Sequence, residues 1–204
     1  MVLNKQAISQ RQAKPKQNDG LSFARYLDHA AEGFFRMVLG RHSESFIASA
    51  FIAPGHSLSY EHVVFAETEN QIIGMYSTFT ETQQRTFSEE PLQRAAKKHA
   101  LRLNIARIVF APFWRILETI PEGDCYVQGI AIEPKHRGAG IGSLLMRDIE
   151  ARAKAKGASR LSLDVSAKNE GAKRLYKRLG MEECSNWPNT RLLPTVLVRM
   201  AKKL

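Results

Sequence analysis

Cysteine is scarce in this chain. The 204 residues include two, Cys125 and Cys184. Two thiols cannot build the disulfide framework of a small secreted domain, so the sequence favours a reducing compartment and we expect a cytoplasmic protein.

Long apolar runs are also missing. The most apolar tract, residues 101–117, carries Arg102, Arg107 and Arg115, which argues against a membrane span. No apolar segment follows the charges of residues 1–20, so we expect neither a signal peptide nor a membrane partner.

Acidic residues are fewer than basic ones, 20 against 30, and the net charge is +10. A basic surface attracts nucleic acid, anionic lipid and phosphate-rich cofactors without choosing among them. The basic residues lack interleaved aromatics and no helix-turn-helix pattern appears, so we do not expect nucleic acid to be the partner. Whether the chain forms a homodimer stays open.

The pattern along the chain predicts one domain over residues 21–204, after a disordered basic tail over residues 1–20. Segment 81–120 is expected to be a helical insert that forms part of an acceptor site, and whether it acts as a lid is open. The expected strands are His62–Ala66, Ile72–Phe79, Tyr126–Ile132, residues 160–166 and Leu192–Val198. The expected helices begin at Ser22, Ser43, Ile141 and Asn169.

A glycine loop joins the strand ending at Ile132 to the helix beginning at Ile141. Gly138, Gly140 and Gly142 alternate directly after Arg137. This spacing fits neither the dinucleotide fingerprint nor the P-loop. A loop that opens a helix still presents free backbone N–H groups to a phosphate, so the segment predicts a phosphorylated ligand.

Two motifs around this loop carry a family resemblance. Residues 130–142, IAIEPKHRGAGIG, resemble the acetyl-CoA signature of the GNAT N-acetyltransferases, and residues 169–181, NEGAKRLYKRLGM, resemble a second element of that family. The resemblance implies an α/β GNAT fold: a mixed, mostly antiparallel sheet, splayed between strands 126–132 and 160–166, with helices on both faces.

The resemblance also implies a binding site for acetyl-CoA, with no metal. The backbone of the loop would hold the pyrophosphate, the strand edge would pair with the pantetheine arm and stabilise an oxyanion, and Asn169 would bond the same arm. The implied cofactor-binding residues are Ile130, Ala131, Ile132, Arg137, Gly138, Ala139, Gly140, Ile141, Gly142, Ser143 and Asn169.

Tyr176 occupies the family's position for the acid that protonates the leaving thiolate. A tyrosine of pKa near ~10 is protonated at neutral pH and can donate. Tyr176 also shares a helix face with Ala172, Leu175 and Leu179, so a core aromatic is the alternative interpretation.

The base that takes the proton of the incoming amine is less defined. Asp164 stands where some protein-acetylating members carry a glutamate, and a structural strand carboxylate is the alternative. Glu118, Asp124 and Tyr126 are further candidates.

The expected function is therefore acetyl transfer from acetyl-CoA to a primary amine by direct attack. The acceptor stays open among a protein amine, a polyamine, an amino acid and an aminoglycoside. A non-catalytic acetyl-CoA sensor and a basic nucleic-acid-binding protein are the alternatives.

Overall fold

The computed structural model describes residues 8–69, 71–96, 119–189 and 193–204. Its strands are β1 (Ser9–Gln12), β2 (Val63–Thr68), β3 (Gln71–Thr80), β4 (Asp124–Ile132), β5 (Arg160–Ser166), β6 (Glu182–Trp187) and β7 (Leu197–Lys203). Its helices are α1 (Gln17–Ala30), α2 (Phe34–Leu39), α3 (Ser43–Phe51), α4 (Glu81–Arg85), α5 (Glu90–Ala96), α6 (Ile141–Ala155) and α7 (Glu170–Arg178).

The strands form one seven-stranded sheet in the order β1-β2-β3-β4-β5-β7-β6. Every pairing is antiparallel except the parallel pair β4–β5. The expected mixed, mostly antiparallel α/β fold is confirmed.

The sheet separates two apolar layers, as the alternation along β2 shows. Val64 belongs to the layer that contains residues of α6 and α7, whereas Phe65 belongs to the layer built on α1 and α3. Side chains of successive strand residues point to opposite faces, so a sheet this apolar must be covered on both.

The expectation of a disordered tail over residues 1–20 is wrong for residues 8–20. β1 pairs with β2 at the sheet edge, and α1 begins at Gln17 rather than Ser22. Arg11 fixes the segment through ion pairs of 2.7 Å to Asp19 and Glu67. The polar composition suggested disorder because the segment is held by charges and backbone pairing rather than by apolar burial.

The last strand also differs from the expectation. The strand predicted at Leu192–Val198 lies at Leu197–Lys203, and β6 was not predicted at all. β6 is almost wholly exposed, so it lacks the apolar alternation on which strand prediction depends.

Segment 81–120 is described only in part. α4 and α5 account for much of residues 81–96, in agreement with a helical start. Residues 97–118, including Phe113 and Trp114, lie outside the described residues.

Candidate active site

The two central strands separate partway along their length. β4 pairs with β5 only over residues 124–127 and 160–163, whereas its pairing with β3 continues to Ile132. Beyond Val127, the β5-facing edge of β4 has no strand partner among the described residues. The predicted segment Ile130–Ile132 lies on this open edge, so its backbone can pair with an extended ligand.

The glycine loop lies directly after the open edge. Gly138 and Gly140 have φ of +78° and +80°, a conformation that side-chain-bearing residues rarely adopt, and Gly140 is the N-cap residue of α6. The N–H of Leu144 donates to Gly140 O at 3.1 Å. The amides of residues 138–143 donate to no other part of the described chain, and they lie at the positive end of α6.

The backbone N–H of Arg137 is not one of the free amides of the loop. Its backbone N–H, predicted to face the pyrophosphate, donates to Pro134 O at 3.2 Å and closes the turn before the loop. Its side chain reaches Ile132 O (3.3 Å from Nε) and His29 Nε2 (3.0 Å from Nη2). Arg137 therefore links the end of β4 to the end of α1, and the cradle of free amides begins at Gly138.

Gly142 also has a packing role, beside the cofactor-binding role that the sequence predicts for its backbone. A Cβ there would lie 3.0 Å from Leu175 Cδ2 and 3.5 Å from Ile132 Cδ1, two partly buried side chains that pack against the apolar layer. Gly142 is buried, so its missing side chain makes room for the packing of α6 against α7.

Asn169 is the N-cap residue of α7. Its Oδ1 accepts a hydrogen bond of 3.1 Å from the N–H of Ala172. This cap occupies the oxygen, and the exposed amide nitrogen is left to bond a ligand. The predicted cofactor role and a structural role therefore use different atoms of the same side chain.

Tyr176 is the single buried residue of α7, at 6% exposure. It packs in the apolar layer with Ile141 and Leu163, which also supports the core-aromatic interpretation. Burial raises the pKa of its hydroxyl well above the ordinary value. The phenol stays protonated across the neutral range and can serve only as a donor of a proton.

Asp164 is held by two neighbours. Arg199 donates to both carboxylate oxygens, at 3.0 Å and 2.7 Å, and the Tyr126 hydroxyl donates at 3.1 Å. Its side chain is 3% exposed, and it lies on the face of β5 opposite Leu163 and the Tyr176 layer. These contacts favour the alternative interpretation, a structural carboxylate, over a free base.

The structure describes two of the three other candidate bases. Arg160 holds Asp124 through bonds of 2.7 Å and 3.1 Å. Burial, first, and then the Asp164 carboxylate raise the pKa of Tyr126 well above its usual range. Glu118 lies outside the described residues.

Sequence reasoning missed Arg199, His29 and Gln128. Arg199 meets Asp164 only because β7 pairs with β5 in that register, and His29 meets Arg137 across a long sequence separation. Gln128 lies where the β3–β4 register shifts, and its Oε1 accepts from Ser77 Oγ at 3.0 Å. None of these contacts leaves a local pattern in the sequence.

Two negative findings concern the described residues alone. They contain no group of three or more histidine, cysteine, aspartate or glutamate side chains placed to hold a metal ion. Within the same ranges, no helix is long and apolar enough to cross a membrane.

A sheet opened between two parallel strands, with a loop of free amides beyond the opening, agrees with the arrangement that the resemblance implies. The profile of the Acetyltransferase (GNAT) family matches residues 24–181. The chain therefore belongs to the GNAT acetyltransferase family, which uses acetyl-CoA as donor.

Individual relatives match shorter stretches. A candidate ribosomal protein bS18-alanine N-acetyltransferase of Bacillus subtilis (strain 168) is 42% identical over 59 residues, 29% of this chain and 39% of that protein. The thialysine N-epsilon-acetyltransferase of Bos taurus is 40% identical over 58 residues, 28% of this chain and 34% of the relative. The matched segments thus span well under half of either relative.

Solved structures share the fold over nearly the whole chain. An N-acetyltransferase from Staphylococcus aureus Mu50 superposes with a TM-score of 0.65 at 17% identity, over 95% of this chain and all of that chain (100%).

Proposed function

We propose that this protein transfers the acetyl group of acetyl-CoA to a primary amine of a small molecule or protein, by direct attack in a ternary complex. The observation that carries the proposal is the open edge of β4, which leads directly into the free amides at the start of α6. One ligand that is an extended amide chain at one end and a pyrophosphate at the other fits both features.

The donor would lie along this path. Amides 138–143 would bind the pyrophosphate, helped by the dipole of α6. The pantetheine arm would pair with Ile130–Ile132 and bond the amide nitrogen of Asn169. Backbone N–H groups of the same edge would stabilise the negative charge that develops on the thioester oxygen.

The chemistry needs two proton transfers. The amine nitrogen forms a bond to the acetyl carbon while the carbon–sulfur bond breaks, and the electron pair leaves on sulfur. Tyr176 would give its proton to that thiolate, a role consistent with a phenol whose pKa is raised by burial. A base or a water molecule on the face of the sheet that carries Asp164 would take the proton of the amine.

The acceptor is not defined by the matched segment. A protein named for the α-amine of alanine and one named for the ε-amine of thialysine are about equally similar to this chain. An α-amino group has a pKa near ~8 and a lysine-type amine near ~10.4, so the second needs a base more. We propose that the acceptor site lies beside segment 81–120. We also propose that the protein works in the reducing cytoplasm.

Calorimetry with acetyl-CoA tests the donor, and thiol release across a panel of protein N-termini, polyamines, amino acids and aminoglycosides tests the reaction. The proposal predicts saturable binding and amine-dependent release of free CoA. Binding without release from any amine would support the sensor alternative, and no binding would exclude both.

A further inference from the structure

Gln128 lies at the point where β4 and β5 separate. The residues of β4 from Asp124 to Val127 are buried, and Gln128, the first residue after the last pair with β5, is the first of the strand that is partly exposed. Gln128 also lies at the register shift between β3 and β4, so it has no register partner on β3 or on β5. Bulges of this kind re-aim a side chain and are common beside active sites.

The amide of Gln128 is held on the α1 side of the sheet. Ser77 is fully buried, and its Oγ donates to Gln128 Oε1 at 3.0 Å. Ser77 follows Tyr76, a member of the layer formed with α6 and α7, so alternation directs Ser77 and the bonded amide to the opposite face. Tyr176 belongs to the layer of α6 and α7. The proposed acid and Gln128 therefore lie on opposite faces of the opened sheet.

A glutamine amide can accept a hydrogen bond from an amine, but it cannot take a proton from one. The carboxylates that β4 and β5 carry are each held by a guanidinium: Arg199 binds both oxygens of Asp164, and Arg160 binds both oxygens of Asp124. Protonation of either carboxylate would break a bidentate ion pair. Both are therefore better suited to holding the strands than to removing a proton.

Other titratable side chains around the opening also have partners. The Tyr126 hydroxyl donates to the Asp164 carboxylate. Helix α1 covers this part of β4, since Leu27 and Ala30 pack over Gly129. Three titratable residues in this half of α1 are bonded as follows: Tyr26 to Glu133, Asp28 to Arg36 and His29 to Arg137. Each of these groups is engaged, so the neutral amide at the bulge is the better contact for an acceptor amine.

We propose that the acceptor is the α-amino group of an amino acid or peptide, which arrives as the neutral amine and is positioned by Gln128. This inference rests on the proposed function. Gln128 Oε1 would accept one N–H of the amine, whose lone pair attacks the acetyl carbon. The carbon–sulfur bond breaks, its electron pair leaves on sulfur, and Tyr176 protonates that sulfur. Water then takes the extra proton of the acetylated nitrogen and returns a proton to Tyr176.

The neutral fraction of each amine sets the expected selectivity. At pH 7.5 about a quarter of an α-amino group of pKa near ~8 is neutral, against about 0.1% of a lysine-type amine of pKa near ~10.4, a ratio of roughly 200-fold. The greater nucleophilicity of the more basic amine offsets part of this ratio. We therefore expect kcat/KM at pH 7.5 to favour α-amines by about 20-fold or more.

The test measures kcat/KM between pH 6.5 and 9.5 for two pools of acceptors. One pool contains amino acids and short peptides with free N-termini and no lysine, and the other contains the same peptides with blocked N-termini and one lysine each. The wild type should favour the first pool at pH 7.5. The logarithm of kcat/KM should rise with unit slope towards the pKa of each amine, so the preference should narrow at high pH.

Two variants test the position of Gln128. Gln128→Glu places a carboxylate at the bulge, and a positioned general base contributes typically 10²- to 10⁴-fold, so the preference for α-amines should fall about tenfold or more. Gln71→Glu makes the same charge change at the exposed start of β3, next to the turn from β2, and should leave the preference unchanged.

Equal use of both pools by the wild type at pH 7.5 overturns the inference. A pH profile that levels off well below the pKa of the amine also overturns it, because that inflection would belong to a base of the protein. An unchanged preference in a folded Gln128→Glu protein contradicts the positioning role, and the wild-type profile decides the acceptor class if this variant does not fold. No acetylated product from either pool, in protein that binds acetyl-CoA, contradicts the proposed function and this inference with it.

Discussion

Leu175 of α7 lies over Gly142 of α6 so closely that a Cβ added to Gly142 would be 3.0 Å from Leu175 Cδ2. Gly142 belongs to the glycine motif and Leu175 to the downstream motif. The two motifs therefore meet at this point, where α6 lies beside α7, the helix that carries Tyr176 and is capped by Asn169.

Two glycine variants should separate backbone conformation from packing. Gly140→Ala forces a side chain into φ of +80°, which costs roughly 1–2 kcal/mol and displaces the loop amides. Gly142→Ala gains helix propensity of about 0.5–1 kcal/mol, which offsets the crowding of Leu175. We expect urea unfolding to show a loss for Gly140→Ala and a change below ~1 kcal/mol for Gly142→Ala.

Acetyl-CoA affinity of the same two variants adds a second readout. Gly140→Ala should weaken binding markedly, and Gly142→Ala much less. Equal weakening in a Gly142→Ala protein of normal stability would show that Gly142 serves the approach of the pyrophosphate rather than helix packing.

The capping oxygen and the amide nitrogen of Asn169 can be tested separately. Asn169→Ala removes the cap of α7 and should cost about 0.5–2 kcal/mol of stability. Asn169→Asp keeps the capping oxygen but loses the amide N–H groups, so stability should persist while acetyl-CoA binding weakens. Thermal unfolding and calorimetry give the two readouts. If Asn169→Asp binds as well as the wild type, the side chain acts only as a cap.

Tyr176→Phe removes the proposed proton donor and keeps the ring. General acid catalysis contributes typically 10²- to 10⁴-fold, so kcat should fall by about that factor with little change in acetyl-CoA affinity. Because burial raises the pKa of Tyr176, its protonation should not limit turnover at neutral or mildly alkaline pH. Tyr60→Phe, on a half-buried ring packed against Phe51, is the matched control. Full turnover in Tyr176→Phe would leave the core-aromatic interpretation standing.

His62 should make folding stability depend on pH. It is 5% exposed, packed against Phe79 and Phe87, and neither ring nitrogen has a hydrogen-bond partner within the described residues. Burial lowers its pKa from 6.5 to about 4; Glu61 opposes this shift and Lys156 adds to it.

The direction of this pH dependence follows from which state of the chain binds the proton. Between pH 6.5 and about 4 the unfolded chain binds a proton at His62 that the folded chain does not, so stability falls as the pH drops through this range. At about 1.4 kcal/mol per pH unit the loss is on the order of 3 kcal/mol. His62→Phe should flatten the urea-unfolding profile there, and the exposed His42→Asn should not. An unchanged slope in His62→Phe would contradict the buried, neutral state.

The sequence predicted the elements that carry periodic apolar residues. The strand before the glycine loop, α6 and α7 were placed to within a few residues, because local spacing dictates burial there. β1 and β6 were missed since Arg11 and the exposed residues of β6 give no such period.

The candidate site was predictable where it is local and not where it is assembled. Gly140 and Asn169 lie in contiguous motifs, so their positions followed from the sequence. The partner of Asp164 did not, because Arg199 is 35 residues away and reaches it only through the register of β5 and β7.

The most direct test of the central claim is a reaction of the wild-type protein with acetyl-CoA and the amine panel, in which free thiol and N-acetylated amine are measured together. The account predicts that both products appear in equal amounts, in a reaction that requires protein, donor and a specific amine. Saturable acetyl-CoA binding with no acetylated product from any amine would contradict it.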